Sequence, residues 1–129
     1  MITIKMGILC AEKSPVNQVL GKLFTIPFTS FRVIKQVVAL QKLVGEKQKE
    51  YGELLKKIIE AHGEKSEDGQ MSIKLDNKEF GELIDSDAEL DIEKLKINGE
   101  AFNKANAPIS SNEYLMLETF VEFTEIEDN

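Results

Sequence analysis

The sequence predicts a mixed α+β protein with one long central helix packed against a small sheet and short helices. Three observations carry this prediction. An uninterrupted helical pattern runs from Phe31 to His62, 32 residues, or about 48 Å at ~1.5 Å per residue. Short segments of period-two hydrophobicity flank it, at Ile2, Ile4, Met6 and Ile8 and again at Met71, Ile73 and Leu75. Charge changes sign just after the long helix. Residues 1–62 carry 10 Lys/Arg against 5 Asp/Glu, a net +5, and residues 63–129 carry 6 against 18, a net −12, which together give the −7 of the whole chain.

A chain of 129 residues is expected to form one domain. Its parts are an N-terminal strand and short helix (1–27), the long helix (28–62), an acidic α+β part (63–124) and a tail (125–129). Alternation from Ile2 to Ile8 reads as the opening strand. Ser14-Pro15 reads as an N-cap followed by proline at the first helical position, opening a helix through Val16, Val19, Leu20 and Leu23 that Pro27 ends. Thr29 or Ser30 then caps the long helix. Within that helix Val37, Val44, Tyr51 and Ile58 recur every seven residues beside Val33, Leu40, Leu54 and Ala61, a heptad-like seam interrupted at Lys47. Either the chain's own later elements or a second protein must cover this seam. Gly45 and Gly52 lie seven apart on another face, marking either a weak stretch or the close approach of another backbone.

His62-Gly63 ends the long helix, and Gly63–Gly69 reads as a polar loop, with an Asp68-Gly69 turn before the strand Met71–Leu75. Lys78–Ile84 reads as a short helix burying Phe80, Leu83 and Ile84. Across Glu89–Ile97 the apolar parity shifts between Ile92 and Leu95, which requires a bulge or two short strands. Ser110 and Glu113 have capping-box spacing and open a last helix through Leu115, Leu117, Phe120 and Val121, with Phe123 tucked in behind it. The acidic tail is expected to fray.

Catalytic and metal chemistry find few residues to work with. The chain has one His, one Cys and no Trp. His62 at a helix end reads as a favourable cap, and Cys10 as a small buried side chain. One His and one Cys cannot supply a structural zinc site. The run Asp85, Asp87, Glu89, Asp91 and Glu93 resembles a calcium loop, but Leu90 stands where such a loop needs Gly. No cofactor, metal or catalytic set is expected. Drawn out as a strand, those five carboxylates would share one face. That stripe reads either as the charged guard of an edge strand or as a docking surface for a basic partner. Direct nucleic-acid binding is disfavoured by the pI of about 4.8 and by the pairing of helix lysines with glutamates such as Glu53. No apolar run spans a bilayer. Lys5 interrupts the only apolar stretch near the start, against a signal peptide.

Several segments together resemble small uncharacterised proteins of tailed bacteriophages. They are Ile26-Pro27-Phe28, Leu54-Leu55-Lys56-Lys57-Ile58-Ile59-Glu60, the acidic turn Gly63–Gly69, Glu79-Phe80-Gly81-Glu82-Leu83-Ile84, Ala88-Glu89-Leu90-Asp91-Ile92, and Ile109–Leu115 leading into Leu117-Glu118-Thr119-Phe120. The resemblance spans about residues 26–123 and brings no functional residue with it. It implies phage origin, while the missing catalytic residues and the heptad-like seam, which needs a partner or a fold around it, favour a non-enzymatic protein of virion structure or assembly, located in the host cytoplasm or on the virion. The alternative is an inhibitor of a host defence or nucleic-acid-processing protein. The expected partners are further copies of the chain or other phage or host proteins, met at Val37, Val44, Tyr51 and Ile58 or at the acidic stripe.

Overall fold

The computed structural model describes residues 1–65, 69, 71–73 and 76–125. The chain opens with strand β1 (Ile2–Lys5), helix α1 (Met6–Cys10) and helix α2 (Pro15–Thr25), followed by the long helix α3 (Phe31–His62). Two short strands come next, β2 (Glu64–Lys65) and β3 (Met71–Ser72), then helix α4 (Lys78–Asp85) and strands β4 (Asp87–Leu90) and β5 (Leu95–Asn98). Helices α5 (Glu100–Lys104) and α6 (Ser111–Leu117) lead to the last strand, β6 (Val121–Thr124). The mixed class and the long helix are as the sequence predicts. Among the described residues, however, the strands form three separate pairs and not one small sheet: β1 with β4 and β2 with β3, both antiparallel, and β5 with β6, parallel.

Helix α3 takes the predicted bounds because its start is well defined chemically. Ser30 Oγ accepts from Val33 N at 3.4 Å, satisfying one of the otherwise orphaned donors of the first turn. Its inward face is Val33, Val37, Leu40, Val44 and Tyr51, all buried, with successive spacings of one or two helical turns. Against this face pack α1, α2, α4, β4 and β5. The core they close contains Leu9, Leu20, Leu23, Ala88, Leu90, Leu95, Ile97, Phe102 and Phe120.

Polar side chains fix the joints between elements. Gln36 on α3 grips the backbone of β5, accepting from Lys96 N at 2.8 Å and donating to Lys96 O at 3.3 Å. Gln48 donates to Asn17 Oδ1 at 3.0 Å, tying α3 to α2, and Lys22 on α2 meets Glu113 on α6 at 2.9 Å. The predicted capping box is present: Glu113 N donates to Ser110 Oγ and Ser110 N donates to Glu113 Oε1. Hydrogen bonding to the Ser110 backbone, followed by the Lys22 ammonium, holds the Glu113 carboxyl below the usual range.

Four expectations change. The opening strand stops at Lys5, because Met6, Leu9 and Cys10 bury themselves at helical spacing in α1, whose Gly7 lies against Ile84 of α4. Ser14 precedes α2 but does not cap it; its hydroxyl turns back to donate to Ile8 O. The last helix ends at Leu117, leaving Leu115 63% exposed, while Phe120 and Val121 are buried in a turn and in β6. Glu89–Ile97 resolves into two short strands belonging to different pairs, the second of the two arrangements the parity shift allowed. In α4 only Leu83 is fully buried, with Phe80 and Ile84 half-buried. Asp68 of the expected turn, Leu75 at the end of the expected strand and tail residues 126–129 lie outside the described residues.

Candidate interaction surfaces

The heptad seam is the first surface to place. Val37, Val44 and Tyr51 are 6%, 1% and 8% exposed, and Ile58 is half-buried. The chain's own elements cover them, so the seam is core and not an open face for a partner. Amphipathicity identifies a face that must be dry but not whose atoms dry it. Leu54, 39% exposed, marks where this covering thins toward the end of α3.

The acidic stripe survives only in part. Asp87 and Glu89 alternate with buried Ala88 and Leu90 and share the outward face of β4. Asp85 ends α4, while Asp91 and Glu93 follow Leu90 beyond the strand, so the five carboxylates do not form a single extended row. Asp87 meets Lys5 across the β1–β4 pair at 3.2 Å, and Glu93 meets the amino terminus at 3.3 Å. Such exposed pairs contribute ~0.2–1 kcal/mol. No ion pair engages Asp85, Glu89 or Asp91 among the described residues.

A third surface emerges on the side of α3 that faces away from the core. At about 100° per residue, Ile34, Val38 and Phe31 point about 100°, 140° and 160° from the inward direction. They are 36%, 40% and 69% exposed. Beside them Lys35, Lys42, Lys49 and Lys56 recur every seven residues, all exposed. Seven residues turn a helix to within ~20° of the same direction, so these lysines form one row about 31 Å long. Lys35 Nζ lies 5.2 Å from the centre of the Phe31 ring, within cation–π range. Lys42, Lys49 and Lys56 form no ion pair among the described residues. Gly45 and Gly52 lie along the same flank with open space where a Cβ would stand. Around Gly52 a shallow depression of about 370 Å³ is lined by Leu55, Lys56, Ile59 and Glu60. The seven-residue lysine spacing was the available signal, obscured by the i,i+4 pairing with glutamates.

The remaining candidates have structural surroundings. His62 Nε2 is 3.2 Å from Glu79 Oε2, joining the last turn of α3 to α4. Cys10 is buried, with its Sγ 3.9 Å from Met6 Sδ. Burial, aided by the Glu50 carboxylate and opposed by Lys47, pushes its thiol pKa up to about 11. A thiol so held is a poor nucleophile at neutral pH. Among the described residues no three His, Cys, Asp or Glu side chains converge as metal ligands, and no helix is long and apolar enough to cross a membrane. Comparison with protein-family models, characterised proteins and solved structures finds no match to this chain.

Proposed function

We propose that this chain is a non-enzymatic interaction protein of a tailed bacteriophage, acting in virion structure or assembly. The observation that carries the interaction reading is the outer flank of α3. Phe31 is 69% exposed there, with Ile34, Val38 and a row of four lysines beside it. An exposed aromatic anchor rimmed by charge is the composition of a binding hot spot, and the described residues leave this surface open. The phage part of the proposal rests on the sequence resemblance, and the assembly part on the interaction surface.

The experiment is deletion of the coding sequence from the phage genome, followed by electron microscopy of the lysate. Missing or malformed particles are expected, with rescue by the wild-type chain but not by one carrying Phe31→Glu and Val38→Glu. Normal particles on a permissive host, with infection lost only where a defence system operates, would replace assembly with the inhibitor reading. The acidic, partly unpaired face around β4 favours that second reading, since it could dock a basic surface.

A further inference from the structure

We propose that copies of this chain associate head to tail, the lysine flank of α3 on one copy docking against the acidic face around β4 of the next. The inference rests on the interaction reading above and names its partner as a second copy. Its basis is the placement of two complementary surfaces on opposite sides of one core. Ala88 and Leu90 of β4 are each 1% exposed and belong to the same core as Val33, Val37, Leu40 and Val44 of α3. Alternation along β4 therefore turns Asp87 and Glu89 away from α3, and the lysine row points away from β4 by the geometry of the helix. The two patches cannot neutralise one another within a chain.

Between chains they can. Lys35, Lys42 and Lys49 offer three cations at intervals of about 10.5 Å, while Glu89 on the outward face of β4 and exposed Asp85 and Asp91 at the two ends of the strand offer carboxylates with no described ion pair. Phe31, Ile34 and Val38 supply the apolar area such a contact needs beyond charge. Like-with-like pairing of two Phe31–Lys42 stretches, which hold no acidic residue, would instead set lysine beside lysine, at an electrostatic cost. The contact is heterologous, each copy using two different patches, so it propagates into rings or open filaments.

The test is light scattering after size exclusion on the full chain, at about 0.01 M and about 0.15 M salt, where the screening length falls from about 30 to about 8 Å. Wild type is expected above monomer mass at low salt and to shift toward monomer as salt rises. Two variants neutralise one face each: Lys35→Gln with Lys42→Gln and Lys49→Gln, and Asp85→Asn with Glu89→Gln and Asp91→Asn. All six sites are exposed, and circular dichroism confirms that each variant folds. Each variant alone should associate about tenfold more weakly or more. Mixed in equal amounts, they should form a dimer, because one basic and one acidic face remain. A wild type that is monomeric at both salts would overturn the proposal, as would an oligomer indifferent to both sets or a mixture that stays monomeric. None of these outcomes would alter the particle phenotype on deletion, so the broader function is tested separately.

Discussion

Alanine at Gly7 and alanine at Gly45 or Gly52 are chemically one substitution, yet the structure gives them opposite signs. At Gly7 the new Cβ would stand 2.8 Å from Ile84 Cβ, 3.1 Å from Ile84 O and 3.3 Å from Ile84 Cα. Comfortable carbon contacts begin near ~3.5 Å, so α1 and α4 must part by about 0.7 Å. The joint has little freedom to do so, since Met6 N donates to Ser86 O at 2.8 Å beside it. Overpacking of this kind costs about 1–3 kcal/mol, and the reduced freedom of the unfolded chain returns about 0.4–1 kcal/mol. A net loss of about 1–2 kcal/mol is expected. At Gly45 and Gly52 nothing lies within 4 Å of the added carbon, so each alanine should gain about 0.5–1 kcal/mol in helix stability. Urea unfolding followed by circular dichroism reads both effects. At m of about 2 kcal/mol/M, the Gly7 variant's midpoint should fall by about 0.5–1 M and the double Gly45, Gly52 variant's should rise by a similar amount. A Gly7→Ala protein as stable as wild type would refute the close packing of α1 on α4. A destabilised Gly45→Ala or Gly52→Ala protein would refute the open flank.

The other predictions follow from single contacts. Gln36→Leu should remove both grips on Lys96, costing about 1–2 kcal/mol, and hydrogen exchange should show the Lys96 amide of β5 losing protection while the amides of α3 keep theirs. Glu113 has its carboxyl pKa depressed by folding, so its contribution is present at neutral pH and disappears as pH falls below the unfolded value of about 4.3. Glu113→Gln should therefore flatten the fall in stability on acidification, as measured by thermal unfolding against pH. Cys10, with its thiol at about 11, should resist a thiol reagent at pH 8 in the folded protein. Labelling should occur only through opening of the core, accelerating in denaturant. Fast labelling without denaturant would mean that the α1 region opens readily. Lys5→Ala should change stability by no more than ~1 kcal/mol, because its pairing with Asp87 is solvent-exposed.

Legibility of the sequence followed the strength of local constraint. Helix α3 was readable to its end residues because a hydroxyl cap, a sustained period and a terminal Gly63 agree. The Ser110–Glu113 box was readable because two residues at fixed spacing satisfy each other. Residues 6–10 are ambiguous in sequence because Met6 and Ile8 continue an alternation begun at Ile2, and short apolar runs fit either period. The end of α6 is hidden in the sequence because Phe120 and Val121 continue a helical spacing while the parallel pairing with β5 claims them. The seam was correctly seen as a face to be covered, but which atoms cover it depends on contacts distant in sequence. The lysine flank was legible in principle, since Lys35, Lys42, Lys49 and Lys56 keep a strict interval, but Lys42, Lys49 and Lys56 each also stand four residues before a glutamate and so fit a purely local pairing rule.

The β1–β4 pair joins Ile2 to Leu90, 88 residues later in the chain. During vectorial synthesis at ~5–20 residues per second, β1 leaves the ribosome roughly 4–18 s before its partner. Helix α3 needs no such delay, because its hydrogen bonds are local and form within microseconds. Its apolar inward face therefore exists before α4, β4 and β5 arrive to cover it, so the nascent chain is most exposed to misassociation during that interval.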